Sequence, residues 1–269
     1  MKNPQNTYTH LLGEIKKFVT QANHKKVVLG VSGGADSALV LKLMADAIGP
    51  EKVTALIMPE NGVTKDENTY HAKALCKFLK VQYNTIPINK YLLDLLQLPW
   101  QPSRLAQMNT KARARAQLLY NFANTNTALV VGTSNKSEIK LGYGTKFGDM
   151  ACDFMPIGDL YKTEVVSLSE HLGLPDEIVH KTPTAELYNG QTDEDELGLS
   201  YKQIDKIFKL LEDKTTAGSA SAENEMIAEL SEKGISEIRI RDILNRCKKN
   251  KHKSETPYII VTGSRKAIQ

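Results

Sequence analysis

The stretch GVSGGADSALVL, residues 30–41, decides the fold of this chain. It joins an apolar run, KVVLGV at residues 26–31, to a segment whose apolar spacing predicts a helix over residues 36–48. The glycines in its first half let backbone N–H groups approach an anion closely, and the start of a helix adds a positive field. Ligands of open parallel sheets bind where strands end and helices begin. The stretch therefore predicts a phosphate-binding loop.

Asp36 distinguishes this loop from the common phosphate loops. No lysine follows as in GxxxxGK[ST], and the glycine spacing is not GxGxxG. A bare carboxylate repels a polyphosphate, whereas Mg²⁺ binds carboxylate and phosphate oxygens together. We therefore interpret Asp36 as a ligand of a nucleotide-bound metal ion, with the hydroxyls of Ser32 and Ser37 as further donors. The alternative from these residues alone is that Asp36 caps its helix and the glycines form a turn.

Strand-like and helix-like segments alternate through the first half of the chain. This alternation predicts an α/β fold, an open parallel sheet with helices on both faces, followed by a helical C-terminal part. Residues 134–160 are predicted to form a long loop, and Ser200 is predicted to cap a helix that follows a second irregular stretch at 182–198. Further strands are predicted at residues 53–59, 81–88 and 128–133, and further helices at 65–80, around 91–97 and at 109–123.

The composition excludes several classes of protein. The 269 residues are 41% hydrophobic and 25% charged, as in an ordinary globular protein, and the net charge of +4 is too small to indicate nucleic-acid binding. The three cysteines are odd in number and far apart, which argues against a disulfide framework or a cysteine metal site and fits a reducing cytoplasm. No apolar run has the length of a signal peptide core or a membrane span, so no membrane association is expected.

The motifs together resemble one family of enzymes. SGGADS is similar to the SGGxDS pyrophosphate loop of N-type ATP pyrophosphatases, which cleave ATP to AMP and pyrophosphate. Further stretches are similar, in the same order, to ammonia-dependent NAD synthetases. They are NTKARARAQLLY (109–120), VVGTSNKSE (130–138), GYGTKFGDMACDFMPIGDLYKTEV (142–165), KTPTAEL (181–187), GQTDEDELG (190–198), YKQID (201–205) and HKSETP (252–257).

This resemblance implies a reaction and an organisation. ATP adenylates the nicotinate carboxylate of deamido-NAD, and ammonia then displaces AMP to give NAD. The implied fold is Rossmann-like, of the adenine nucleotide alpha hydrolase type, in a single synthetase domain over residues 1–269 without a glutaminase domain. Ammonia is therefore expected to come free or from a separate partner. A homodimer is also implied, with the helix at 109–123 as a candidate interface through Leu118, Leu119 and Phe122.

The resemblance also assigns roles to individual residues. Asp36 and Glu138 match the Mg²⁺ ligands, although Glu138 taken alone is an ordinary acid near a helix start. Taken alone, Lys162 and Thr133 are likewise a helix-start lysine and a strand-end hydroxyl. The residues that match ATP-binding positions are Gly30, Val31, Ser32, Gly33, Gly34, Ala35, Asp36, Ser37, Thr133, Lys162 and Thr184.

A second set matches the deamido-NAD positions. Cationic side chains suit the pyrophosphate and carboxylate of that substrate. Asp153, a member of the set, is also the candidate catalytic residue, which would orient ammonia or accept a proton from ammonium. The glycines of residues 142–153 indicate a lid that shields the adenylate from water. The matching residues are Arg113, Lys146, Asp153, His252 and Lys253.

Two other functions remain open from the sequence. A tRNA-modifying enzyme of the same superfamily would use the same loop and bind RNA through the basic cluster RCKKNKHK at 246–253, with a steep salt dependence. A non-catalytic nucleotide-binding module would need the loop but not Lys146 and Asp153. Exchange of pyrophosphate into ATP that depends on deamido-NAD would separate an enzyme from such a module.

Overall fold

A parallel four-stranded sheet forms the centre of the computed structural model, which describes residues 3–93, 98–184, 186–188, 190–218 and 221–260. The strand order is β3-β2-β1-β4, and Val28 of β1 lies opposite Thr54 of β2 and Val130 of β4. The predicted α/β fold class and all four predicted strands are confirmed. The strands are β1 Lys26–Gly30, β2 Val53–Ile57, β3 Gln82–Thr85 and β4 Ala128–Val131.

Helices cover both faces of this sheet, and the strand sequences explain why. Val27 and Leu29 of β1 point into a core shared with α1, α2, α3 and α6, whereas Val28 between them points into a second core shared with α4. Strands that are buried on both faces are continuously apolar, as LVV in β4 is. The described helices are α1 Pro4–Gln21, α2 Ala35–Ile48, α3 Asp66–Phe78, α4 Arg104–Asn126, α5 Lys136–Leu141, α6 Lys162–His171, α7 Asp176–Val179, α8 Asp193–Leu197, α9 Tyr201–Thr216, α10 Ala222–Glu232 and α11 Glu237–Asn250.

A separate apolar cluster holds the C-terminal helices together. Ile204 of α9, Met226 of α10 and Ile240 of α11 are fully buried in it. Ser200 caps α9 as predicted: its hydroxyl accepts a hydrogen bond from the backbone N–H of Gln203, whose side chain accepts one from the N–H of Ser200. Tyr161 belongs to this cluster while Val165, one turn further along, belongs to the sheet core, so α6 connects the two.

The structure corrects four details of the sequence prediction. The stretch at 134–160 is not entirely a loop, because Asn135 and Glu138 form a capping box that begins α5. The irregular stretch at 182–198 contains α8, and α4 begins at Arg104, where Ser103 provides an N-cap. Of the helix predicted around 91–97, the structure shows a 3₁₀ turn at Asn89–Tyr91, and residues 94–97 lie outside the described residues.

Within the part of the chain that the structure describes, no helix combines the length and the apolar character that a membrane crossing requires.

Candidate active site

The glycine loop connects β1 to α2 at the carboxyl edge of the sheet. β1 ends at Gly30 and α2 begins at Ala35, with Gly34 as its N-cap. Gly33 has a φ of +82°, and a Cβ atom there would clash with the backbone oxygen of Asn68 in α3. Glycine is therefore required at this position for two reasons, the left-handed backbone and the contact with α3.

The two serines hold the loop in its shape. The Ser37 hydroxyl donates to the carbonyl of Gly34 at 3.1 Å and accepts from the backbone N–H of Ser32 at 3.2 Å. The Ser32 hydroxyl accepts from the N–H of Gly34 at 3.3 Å. These bonds close the loop on itself.

The carboxylate of Asp36 contacts side chains from distant parts of the chain rather than the first turn of α2. Its Oδ1 accepts a hydrogen bond from Nδ2 of Asn135 at 2.9 Å, and its Oδ2 pairs with the ammonium group of Lys162. The same Lys162 Nζ lies 3.9 Å from Oε1 of Glu138. These contacts do not support the alternative that Asp36 serves as a helix cap, and they bring the two predicted metal ligands to one lysine.

Burial and charge determine the titration of these groups. Burial raises the pKa of Glu138 well above its ordinary value, and repulsion from Asp36 adds to this rise, while Lys162 opposes it. Burial lowers the pKa of Lys162, but the attraction of Asp36 and Glu138 outweighs burial and leaves that pKa above its ordinary value. Lys162 therefore stays charged beside the carboxyl groups of Asp36 and Glu138.

The donor set fits a magnesium ion that also binds phosphate. Among the described residues, no three His, Cys, Asp or Glu side chains are arranged so that they alone could hold a metal ion. Mg²⁺ in nucleotide sites usually takes one or two carboxylates and completes its shell with phosphate oxygens and water. Asp36 and Glu138 supply two carboxylates whose mutual repulsion a cation relieves, so the residues present are suited to such an ion.

A cleft of about 1320 Å³ opens beside the loop. Pockets for single small ligands span roughly 300–1,000 Å³, so this cleft has room for more than one. Segments that follow β1, β2 and β4 line it, as expected for the carboxyl edge of a parallel sheet. The predicted residues among its lining are Gly30, Val31, Ser32, Gly34, Ala35, Asp36, Ser37, Thr133, Glu138, Lys162, Thr184 and Lys253.

Four of the five residues matched to deamido-NAD lie together. The guanidinium of Arg113 donates to the carbonyl of Lys146 at 3.3 and 3.4 Å, and Lys146 Nζ donates to the carbonyl of His252 at 2.6 Å. Lys253 Nζ donates to the carbonyls of Gly142 and Gly144 at 2.8 and 3.0 Å. The end of α11 is thereby attached to the segment that follows α5, and Lys253 is the member of this group that lines the cleft.

Asp153 has different neighbours from the other four. Its Oδ2 accepts from the backbone N–H of Val130 at 2.7 Å, and its Oδ1 accepts from the Tyr120 hydroxyl at 3.3 Å. It is not part of the cleft lining. These contacts attach the 142–153 segment to β4 and favour a positioning role for Asp153 over proton transfer.

Sequence reasoning missed several polar residues of the site. Asn135 is fully buried and orients Asp36, and the N-x-x-E spacing of a capping box was a signal for it. Asn68 is also fully buried, and its side chain forms hydrogen bonds with Lys181 and Glu186. Its backbone oxygen packs closely against Gly33. No local pattern indicates Asn68, because its partners are distant in sequence.

These features define a nucleotide-binding α/β enzyme in which a glycine loop, two carboxylates and a buried lysine share one cleft. Comparison with known proteins narrows the class: the family model described as NAD synthase matches residues 7–257. The chain belongs to the NAD synthase family.

Individual relatives agree with this assignment. The NH(3)-dependent NAD(+) synthetase of Archaeoglobus fulgidus is 46% identical over 198 residues, which are 74% of this chain and 80% of that protein. The solved NH3-dependent NAD synthetase of Campylobacter jejuni has a TM-score of 0.80 and 33% identity, covering 96% of this chain and 99% of that one. The solved NMN synthetase of Francisella tularensis has the same TM-score at 28% identity, covering 96% and 98%. The predicted class, an ammonia-dependent NAD synthetase, is confirmed.

Proposed function

We propose that this chain amidates deamido-NAD in two steps within the described cleft. In the first step a carboxylate oxygen of the nicotinate attacks the α-phosphorus of ATP, the bond to the β-phosphate oxygen breaks, and pyrophosphate leaves. In the second step ammonia attacks the carbonyl carbon of the acyl-adenylate, AMP leaves, and a proton is lost, giving NAD. The observation that carries the proposal is the meeting of Asp36, Glu138 and Lys162 beside the glycine loop.

In this proposal the protein acts by positioning and charge rather than by a nucleophile of its own. The backbone N–H groups at the start of α2 face the polyphosphate, and Lys162 offsets negative charge as pyrophosphate departs. Thr133 and Thr184 supply hydroxyl groups from two other walls of the cleft.

We propose Asp36 and Glu138 as the residues that hold Mg²⁺. The ion would supply electrostatic stabilisation of the leaving pyrophosphate. Asn135 contributes by fixing the Asp36 carboxylate from one side, so that its other oxygen is directed to the shared cation position.

The deamido-NAD side is assigned to the cationic group at the end of α11. Arg113, Lys146, His252 and Lys253 gather around residues 142–148, where positive charge suits a dinucleotide pyrophosphate and a carboxylate. Asp153 attaches the end of the 142–153 segment to β4. The segment at 142–153 stays the proposed lid.

Partners beyond the substrates are also proposals. We propose a homodimer, although Leu118, Leu119 and Phe122 pack partly buried against their own sheet core, which leaves less of them for an interface. Sedimentation of the active protein at working concentration tests the dimer.

The three cysteines are unpaired, which fits the proposed cytoplasmic location. We propose ammonia, free or delivered by a partner, as the nitrogen donor, and no nucleic-acid partner.

The reaction itself is tested by incubating the chain with ATP, Mg²⁺, ammonium and deamido-NAD. We expect NAD and AMP in equal amounts, and exchange of labelled pyrophosphate into ATP when ammonium is omitted and deamido-NAD is present. AMP formation that is independent of deamido-NAD would contradict the proposal. Parallel assays for NMN formation from its acid precursor address the activity named for the Francisella tularensis protein.

A further inference from the structure

The hydroxyl of Tyr143 contacts two carboxylates of a different segment. It lies 3.1 Å from Oδ1 of Asp193 and 2.8 Å from Oε2 of Glu196. Asp193 is 4% exposed, and its other oxygen accepts from the Tyr201 hydroxyl at 3.1 Å. Tyr143 is thus one end of a partly buried polar connection between the segment after α5 and helix α8.

The backbone of Tyr143 is held as firmly as its hydroxyl. Its N–H donates to the carbonyl of Glu138 at 2.9 Å, and the carbonyls of both flanking residues, Gly142 and Gly144, accept hydrogen bonds from Lys253. The backbone of Tyr143 thus lies in the same hydrogen-bonded segment as Lys146, whose carbonyl accepts from Arg113.

Asp193, at the other end of this connection, is bonded to a segment that we assign to ATP binding. The backbone N–H of Asp193 donates to the carbonyl of Pro183 at 3.0 Å, next to Thr184 in the cleft lining. Glu196 accepts hydrogen bonds from Tyr188 and Gln191 at 2.8 and 3.2 Å within its own segment. The Tyr143 hydroxyl therefore joins the segment at 142–148 to the segment at 183–198.

We propose that Tyr143 is a positioning residue that couples the binding of ATP to the binding of deamido-NAD. The proposal rests on the proposed function, because it takes the two segments to serve the two substrates. Ordering one segment around its ligand orders the other through the Tyr143 hydroxyl, so that the second ligand binds to a segment already in place.

The coupling factor is measured directly by calorimetry without turnover. The affinity for an ATP analogue with a methylene α–β bridge is determined with and without saturating deamido-NAD, in the presence of Mg²⁺. We expect the wild-type chain to show a coupling factor in the range of about 5–150 that is typical of coupled sites. In Tyr143→Phe, which keeps the ring and removes the hydroxyl, we expect a factor within about twofold of 1.

Tyr188→Phe is the matched control. It removes another hydroxyl that donates to Glu196, but that bond does not leave the segment, so the coupling factor should stay at the wild-type value. Equal coupling factors in Tyr143→Phe and wild type, or loss of coupling in both variants alike, would overturn the proposal. A wild-type chain that binds the analogue and deamido-NAD without coupling overturns it as well. A wild-type chain that does not bind deamido-NAD overturns the proposed function, and this inference with it.

Hydrogen exchange on the wild-type chain tests the same connection without a variant. The analogue alone should slow exchange of backbone amides in residues 142–148 as well as in 190–198. Protection confined to 190–198 would overturn the proposal.

Discussion

The ammonium group of Lys162 meets the carboxylate of Asp36 although 126 residues separate them along the chain. Their side chains are 8% and 17% exposed, so the pair is largely shielded from water. The contact joins the N-termini of α6 and α2, two elements that pack on the same face of the sheet. The fold itself therefore assembles the charges that we propose to act on the polyphosphate.

Replacing Lys162 by methionine leaves Asp36 and Glu138 without their shared cation. Removing one partner of a buried ion pair costs about 3–5 kcal/mol of stability, and Mg²⁺ should restore part of this loss because it supplies the missing charge. Thermal melting with and without Mg²⁺ measures both effects. The control is Lys209→Met, because Lys209 is 42% exposed in its pair with Glu164. This substitution should lower stability by less than about 1 kcal/mol, and Mg²⁺ should not change the stability of the variant. Equal melting temperatures for the two variants would contradict the account.

Gly33→Ala tests the shape of the glycine loop. Gly62 has a similar φ of +88°, but a Cβ atom added there would have no described atom within 4 Å, so Gly62→Ala adds only the left-handed strain of about 1–2 kcal/mol. Gly33→Ala adds the same strain and the clash with Asn68, so it should be less stable than Gly62→Ala and should alone lose ATP affinity. Calorimetric ATP binding and melting of both variants decide this. A Gly33→Ala chain with unchanged ATP affinity would show that the loop does not contact the nucleotide.

Glu138→Gln should stabilise the ligand-free chain at neutral pH. The raised pKa of Glu138 means that the folded state disfavours its charge, so wild-type stability falls as pH rises from the ordinary carboxyl pKa through the raised one. Glutamine does not titrate, so the variant should be more stable than the wild type at about pH 8, and this difference in stability should vanish near pH 4. Melting temperatures of both proteins across pH measure it. A variant less stable than wild type at about pH 8 would mean that attraction to Lys162 dominates. Stabilisation by Mg²⁺ with ATP should weaken in the variant.

Lys146→Ala should impair the use of deamido-NAD far more than the binding of ATP. Lys146 contacts the end of α11 and is not part of the cleft lining beside the glycine loop. A hydrogen bond to a charged group contributes about 1.5–3 kcal/mol, so we expect roughly a ten- to hundredfold loss in kcat/KM for deamido-NAD. Lys248→Ala is the control, because this exposed lysine of the basic cluster at 246–253 pairs with Glu223. An equal fall in ATP affinity would contradict the division of the cleft between the two substrates.

Local patterns in the sequence were enough to predict the sheet and the glycine loop. Strands β1 and β4 are apolar on both faces and the glycines stand between a strand and a helix, so short stretches carry much of the signal. Asn68, Asn135 and Tyr143 were missed because each acts through a residue that only the fold brings near. The boundary of α4 and the helix α5 were missed because polar faces and a short length weaken the periodicity on which such predictions depend.

The resemblance supplied what periodicity could not, namely the grouping of Arg113, Lys146 and His252. The structure places Lys146 in contact with both Arg113 and His252. It also gives Asp153 a contact with the backbone of β4, which no motif indicates. Motifs identify which residues matter, whereas the direction of each side chain depends on packing between distant segments.

We propose that Asp36 acts through its charge on a metal–nucleotide complex. Asp36→Asn keeps the side-chain shape and the oxygen that accepts from Asn135. The lost attraction to Lys162 is offset by the lost repulsion of Glu138, so the melting temperature should change little.

NAD formation by Asp36→Asn across a Mg²⁺ titration is the most direct measurement. We predict a fall in turnover of about 10²–10³-fold, comparable with the loss of one electrostatic group at a developing charge, and partial recovery as Mg²⁺ rises. A stable Asp36→Asn chain with near-normal turnover that does not respond to Mg²⁺ would contradict it.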